Sequence, residues 1–304
     1  MRKLLSANFF ALSHSKRFWL GGAVLVVAAA LDVLGLYKMQ AHGEAVSLDN
    51  TIVSCAPWQF ILLPCLCGLF INTDYNDGTI RNKLAVGHSR TAVYMSNFIT
   101  VYAMELFYMA LALSTIFLVG IGLPVDEPGH VAQGLGVLLL SILALTAISV
   151  FLATLIANRS ALVVCAMVGL ALMFGGQIIN GILENPKMVA DYGGVVFVTD
   201  EEGEQKMQYL DREGNPIDAE DIPMVRNPHY VEEPQRTMLR QFNEMHPGGQ
   251  LWEIMWNGHR EYNEDGSEAI VVQTPRWLLA TYALAVTALF TGAGILLFRR
   301  KDLK

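Results

Sequence analysis

Two ionisable side chains, Asp32 and Glu105, stand inside long apolar runs. A charge at the centre of a lipid-facing helix costs roughly 2.5–3.5 kcal/mol on insertion scales, so each must face protein, a wet cavity or the headgroups. Asp32 stands close enough to the end of its run to reach headgroups. Glu105 lies deeper, and is a candidate for a translocation path as a protonated, paired or path-lining group. Gln177 and Asn180 sit near the end of another run. They are candidates for the same path, or for bonding a neighbouring helix. Chemistry that would make the chain an enzyme does not show. There is no G-x-x-x-x-G-K-[ST] loop to cradle nucleotide phosphates. The Cys65-x-Cys67 pair has no His or further Cys nearby to complete a zinc site, and cysteines in apolar runs behave as small hydrophobes. His229, His246 and His259 lack a zinc spacing and read as loop histidines. The acidic stretches 200–204 and 218–221 lack the EF-hand spacing and read as solvated surface, or as a docking face for a cationic peptide. No catalytic residue and no metal site is assigned.

The elements that must position these residues belong to a membrane. Of the 304 residues, 53% are hydrophobic and 16% charged, and mean hydropathy is +0.38. Soluble chains carry about a quarter charged residues. The composition argues against a water-soluble enzyme and excludes a disordered chain and a collagen-like fibre. Six runs, about 18–37, 55–72, 98–123, 133–157, 161–183 and 277–298, each supply the roughly 20 apolar residues that cross a bilayer. The fourth and fifth join through Asn158–Arg159–Ser160 as a tight hairpin. Basic residues cluster at the N-terminus (Arg2, Lys3, Lys16, Arg17), after the second span (Arg81, Lys83, Arg90), at Arg159, and at the C-terminus (Arg299, Arg300, Lys301, Lys304). The alternate short loops hold Lys38 alone or no base. The positive-inside rule then puts both termini in the cytoplasm and 184–276 outside. The first run is longer than a signal-peptide core, so a span is preferred to a leader cleaved near Ala28–Ala30. The net charge of −7 is segregated: residues 184–274 hold 19 of 28 acids and 7 of 21 bases, a local net of −12. A uniform nucleic-acid binder would not look like this.

Three further segments have a shape. Residues 3–15 place Leu5, Phe9 and Leu12 on one helical face, with Leu4 adjacent and Ser6, Asn8 and Ser13 opposite, as in a helix lying on the inner leaflet. Residues 73–97, TDYNDGTIRNKLAVGHSRTAVYMSN, form a loop punctuated by Gly78 and Gly87. Between them Ile80 and Leu84 stand at i, i+4 beside Arg81 and Lys83, a short amphipathic helix with a basic flank. Ser89 is a candidate N-cap for the helix running through Tyr94 into the third span. Such a helix serves either as a peg for a cytoplasmic partner or as a basic element resting on acidic lipid. Residues 184–276 predict a small mixed α/β insert. GVVFVTD and EQKMQYLD form a hairpin, a second pair flanks NEDGS (Arg260–Tyr262 and Glu268–Val272), and a helix carries Met238, Leu239, Phe242 and Met245 on one face. Leu251, Trp252, Ile254, Met255 and Trp256 suit the outer interface. Pro64 predicts a kink in the second span. The pairs Gly175–Gly176 and Gly292-x-Gly294 predict close helix packing.

The pattern Asp74, Tyr75, Gly78, Thr79, Arg81, Leu84, Gly87, Ser89, Arg90 leading into a span resembles ABC-2-type transporter permeases, in particular the bacterial bacitracin- and lantibiotic-export-like branch. Two positions depart from it: Asp74 stands for an expected Glu, and Ser96–Asn97 for an expected Ser-Lys. The N-terminal helix, the six spans and NPHYVEEPQRTMLRQFNEMHPGGQ before the last span extend the resemblance over most of the chain, apart from roughly 191–226. The resemblance implies an all-α, six-span permease subunit of an ABC exporter in the bacterial plasma membrane. It implies that residues 74–90, with Lys83 among them, form the coupling helix that docks on a separate ATPase. ATP and Mg would be bound there and no cofactor by this chain. It further implies two permeases, a second copy or a related chain, with two ATPases, and short helices within 235–256 capping the exit of an amphipathic small-molecule or peptide substrate. Two alternatives stand beside it. One is a membrane sensor or immunity protein binding an external peptide through 184–276 without transport. The other is an ion-coupled transporter using Glu105.

Overall fold

The computed structural model describes residues 1–156, 158, 160–199, 205–263, 266 and 269–301. Arg159, Lys304, the acidic stretch at 200–204 and most of the turn flanked by the second strand pair therefore lie outside the described residues. Helices within them are α1 (Arg2–Ser13), α2 (Lys16–Ala41), α3 (Asp49–Ser54), α4 (Ala56–Asn76), α5 (Thr79–Ala85), α6 (Arg90–Val119), α7 (Pro128–Ile156), α8 (Ser160–Leu183), α9 (Gln235–Met245), α10 (Pro247–Met255) and α11 (Arg276–Arg300). Six segments are long and apolar enough to cross a membrane: α2, α3 with α4, α6, α7, α8 and α11. The second expected span starts earlier than its apolar run, because α3 leads into α4 through Cys55. Helix α4 continues through Pro64, whose ring lies against Gly169 of α8. The loop expected over 73–97 is shorter: residues 73–76 finish α4 and 90–97 begin α6.

Helix α7 is the axis of the bundle. Its most apolar window is 61% buried, against 22% for α8 and 17% for α11. It is apolar all round, as a helix surrounded by other helices must be. Leu138, Ile142 and Leu145 enter a core with α2, α3, α4 and α6 towards the insert. Ala147, Val150 and Ala153 enter a second core with Leu4, Ile80, Tyr94 and Phe298 towards the chain termini.

Helix α1 corrects the expected face. Its buried residues are Leu4, Asn8 and Leu12, packed on α6, whereas Phe9 and Phe10 are exposed. The row i, i+4, i+8 wins over Leu5–Phe9 because Asn8 finds partners inside.

In the insert, β1 (Met188–Ala190) pairs antiparallel with β5 (Met224–Arg226), and β2 (Gly194–Thr199) with β3 (Gln205–Leu210), which also pairs β4 (Pro216–Ile217). The second hairpin is β6 (His259–Tyr262) with β7 (Ala269–Val272), in register Arg260 to Val271. Helix α9 forms where expected; it buries Arg236 and Asn243 and leaves Met238, Phe242 and Met245 exposed on one face. Helix α10 is instead buried from Pro247 to Ile254, set among α7, α8 and α9. Its entry depends on glycine. A Cβ on Gly176 would stand 2.6 Å from the Gly248 carbonyl carbon, and one on Gly248 would collide with the Leu172 carbonyl oxygen. The expected packing pairs are thus half used. Gly175 and Gly292 face open space, while Gly294 lies against the Tyr94 ring.

Candidate functional site

The loop between α4 and α6 is built around Gly78, whose φ of 68° reverses the chain at the start of α5 and favours a residue without Cβ. Thr79 is the first residue of α5, and Gly87, with φ of 95°, closes the turn after it. Ser89 accepts the Ala92 amide at 3.2 Å and is the N-cap of α6, as its sequence position predicts. On α5, Ile80 is buried and Leu84 half-buried against the core nearest the chain termini, while Arg81, Asn82, Ala85 and Val86 are exposed. Val86 is the extreme, at 80%.

The basic flank divides. Arg81 stays outside, but Lys83 turns inward and donates to Asp74 at 2.6 Å and to the Asn8 Oδ1 at 3.0 Å. Asn8 in turn donates to the Asn97 Oδ1 at 3.0 Å and the Ser96 Oγ at 3.4 Å. One ammonium thus ties α5 to the end of α4, to α1 and, through Asn8, to α6. Lys83 and Asp74, both expected in the docking helix, turn their charges towards each other and not outward. Asn97, which replaces an expected base, is the amide that holds Asn8.

Tyr75 and Arg90 also face inward. The Tyr75 hydroxyl donates to the Thr154 carbonyl at 3.2 Å, and the Lys301 ammonium lies 5.0 Å over the Tyr75 ring while donating to the Thr154 and Leu155 carbonyls at 2.6 and 2.8 Å. These carbonyls lie in the last turn of α7, where a cation is favoured. The Arg90 guanidinium does the same for α11, donating to the carbonyls of Phe298 (3.1 Å), Arg299 (3.3 Å) and Lys301. Both ends of the loop are clamped on the last turns of α7 and α11. Sequence reading missed Asn8 and Lys301. The signal for Asn8 was its place in the row Leu4–Asn8–Leu12.

Glu105 does not line the cleft that holds Gln177 and Asn180. Glu105 is fully buried, and neither carboxylate oxygen has a partner among the described residues. Gln177 and Asn180 line a separate cleft of about 380 Å³ towards the insert, with Trp252, Trp256, His259 and Glu184. Gln177 is exposed; Asn180 is buried and accepts the Asn243 amide at 2.6 Å.

Two histidines beside this cleft are more than loop residues. His246 caps α10, accepting the Gly249 amide at 2.8 Å, and burial pushes its pKa down to about 4. His259 lies on β6 with Nδ1 3.3 Å from Glu253, whose hydrogen bond raises the imidazole pKa. Burial works to raise the Glu253 pKa, but the bonds from His259 and the Thr274 amide (2.8 Å) outweigh it and the pKa is lowered. Gln250, fully buried in α10, accepts from the Ser141 hydroxyl of α7 at 2.5 Å and donates to the Leu279 carbonyl of α11 at 3.1 Å.

No curated protein matches this chain. The family profile of ABC-2 family transporter proteins, by contrast, matches residues 8–303, from the buried asparagine of α1 to beyond the end of α11. Six helices among the described residues that are long and apolar enough to cross a membrane, and a match over nearly the whole length, place the chain in the ABC-2 transporter family, as a multi-pass transmembrane transport component and not itself an enzyme.

Proposed function

We propose that the chain is the permease subunit of an ATP-driven exporter, in the bacterial plasma membrane with both termini in the cytoplasm, and that α5 is the element on which a separate ATPase pushes. The observation that carries this reading is the asymmetry of α5. One side is rooted by Ile80, Lys83 and Leu84; the other offers Arg81, Asn82 and Val86 to solvent. A peg so held passes a push to α4 and α6 without bending. Of the residues expected to meet the ATPase, Arg81 is retained as a contact residue, and Asn82 and Val86 are added. Asp74, Tyr75, Lys83 and Arg90 are transmission residues, Gly78, Thr79, Gly87 and Ser89 shape the loop, and Leu84 anchors it. ATP and Mg bind on the ATPase. A second copy of this chain, or a related permease of the bacitracin/lantibiotic-export-like branch, completes the pathway. ATP-dependent closure of the ATPases favours one of two permease states by differential affinity. An amphipathic small molecule or peptide then leaves along the α8 face that exposes Met167, Phe174, Gln177 and Ile178.

The experiment is site-specific photo-crosslinking from Asn82 in cells that also express a candidate partner ATPase. A permease–ATPase adduct is expected, and Val86→Asp should reduce it at least tenfold. Labelling of Asn82 only from outside the cell, or no adduct, overturns the reading. The unpartnered Glu105 carboxylate favours one rival, ion coupling. Transport that persists without any ATPase and is abolished by Glu105→Gln would establish that rival instead.

A further inference from the structure

The segment 184–274 has a local net charge of −12, yet three of its seven bases, Lys187, Arg236 and Arg240, line one cavity of about 310 Å³ just beyond the end of α8. Arg236 is 9% exposed. One of its terminal nitrogens donates to the Leu183 carbonyl, and its guanidinium lies 5.0 Å over the Tyr230 ring. The other, NH1, is buried with no partner among the described residues. The Arg240 Nε is likewise buried and unpartnered, although its NH2 meets Glu261 at 2.6 Å. Lys187 is exposed, and among the described residues no carboxylate pairs with its ammonium. The two acids in the lining are already engaged. Glu261 is held by Arg240, and Glu233 accepts the amide and hydroxyl of Thr237 at 3.1 and 2.5 Å.

A buried guanidinium nitrogen left without an acceptor is costly, and the cost is relieved when an anion arrives. The planar fork of Arg matches the oxygens of phosphate. We propose that this cavity binds a phosphate-bearing group, held by the Arg236 NH1, the Arg240 Nε and the Lys187 ammonium. Its place favours a phospholipid headgroup or a phosphate ester at the membrane surface. The end of α8 marks the edge of a span, and α9 exposes Met238, Phe242 and Met245 from the helix that also carries Arg236 and Arg240. The inference does not depend on the ATPase reading; its failure would leave the Asn82 crosslink untouched.

The test uses the full chain in two arms. In detergent, inorganic phosphate and glycerol 3-phosphate are titrated calorimetrically. In nanodiscs of phosphatidylcholine with a minority of phosphatidylglycerol, the lipids that remain bound are counted by native mass spectrometry. Binding in the first arm identifies a soluble ester; retention of phosphatidylglycerol in the second alone identifies the lipid headgroup. Either should weaken at least tenfold in Lys187→Gln and in Arg236→Lys, and be unchanged in Arg212→Gln, whose partner Asp191 lies 2.7 Å away on the surface. Should Arg236→Lys fail to fold, the exposed Lys187→Gln still decides. No binding in either arm, or binding that Lys187→Gln leaves intact, overturns the proposal.

Discussion

The Lys83 ammonium lies 2.6 Å from the Asp74 carboxylate, and the two side chains are only 10% and 15% exposed. A sequence reader sees a basic residue on a short exposed helix and assigns it to a partner. The fold spends the charge inside, joining α5 to α4. Removing one partner of a nearly buried ion pair typically costs about 3–5 kcal/mol, whereas replacing both by apolar groups is often close to neutral. Asp74→Leu and Lys83→Met should each lower the thermal stability of the purified protein, and the double variant should be more stable than either. Additive losses in the double-mutant cycle would show that the pair contributes nothing.

Asn8 is the second node of the same connection. It is 2% exposed and bonds Lys83, Asn97 and Ser96. Asn8→Ala leaves the Asn97 oxygen and one Lys83 proton without a partner, a loss of about 1–3 kcal/mol. Ser6→Ala, on the exposed face of α1, should change stability by less than about 0.5 kcal/mol. Chemical denaturation of the two variants beside wild type checks the ranking, and the reverse order would return α1 to the face expected from its apolar residues.

The close approach of α10 to α8 predicts a sharp contrast between neighbouring glycines. A methyl group on Gly248 meets the Leu172 carbonyl oxygen, and one on Gly176 meets the Gly248 backbone at 2.6 Å. Backbone cannot swing aside as a long side chain can. Gly248→Ala should cost about 3 kcal/mol or more, while Gly175→Ala, with nothing within 4 Å, should be near neutral or slightly stabilising. Melting curves in one detergent separate these outcomes.

These cases show what was legible in the chain. The six spans were, because about 20 consecutive apolar residues leave little choice in a bilayer. So were both hairpins and the Ser89 cap, since strand alternation and capping are local. The direction of a charged side chain was not. Arg90 and Lys301 are satisfied by carbonyls far away in sequence, and Lys83 by the distant Asn8 as well as by Asp74, on helices that periodicity cannot place side by side. The apolar stripe of Met238, Phe242 and Met245 was legible as one helical face, but the inward turn of Arg236 and Asn243 on the same helix was not. Glu105 stands out in the sequence as an acid inside an apolar run, yet only the fold sets it apart from the cleft of Gln177 and Asn180.

His246 and His259 titrate with opposite signs. Burial lowers the His246 pKa to about 4, so below its ordinary 6.5 the unfolded chain takes up a proton that the folded chain refuses. Stability therefore falls as pH drops from 6.5 towards 4, by about 3 kcal/mol in total. The His259 pKa is raised by its bond to Glu253, so its contribution is full below 6.5 and is lost as pH rises through the raised value. Glu253, with its pKa lowered, keeps its contribution above 4.5 and loses it only as pH falls through the depressed value. Burial of Glu244 raises its pKa and removes stability as pH rises past 4.5; wild type and His246→Asn share this, whereas His259→Gln also removes the imidazolium charge that partly offsets it. His246→Asn keeps an oxygen to accept the Gly249 amide but cannot protonate. It should flatten the acid side of the melting-temperature profile and leave the alkaline side as in wild type. His259→Gln should instead lower the acid side, with its largest deficit near pH 5–6 and little near pH 9. Melting temperatures measured from pH 4 to 9 in one detergent would expose an error in either sign, because a deficit of His259→Gln that grows with rising pH is incompatible with an imidazolium held by Glu253.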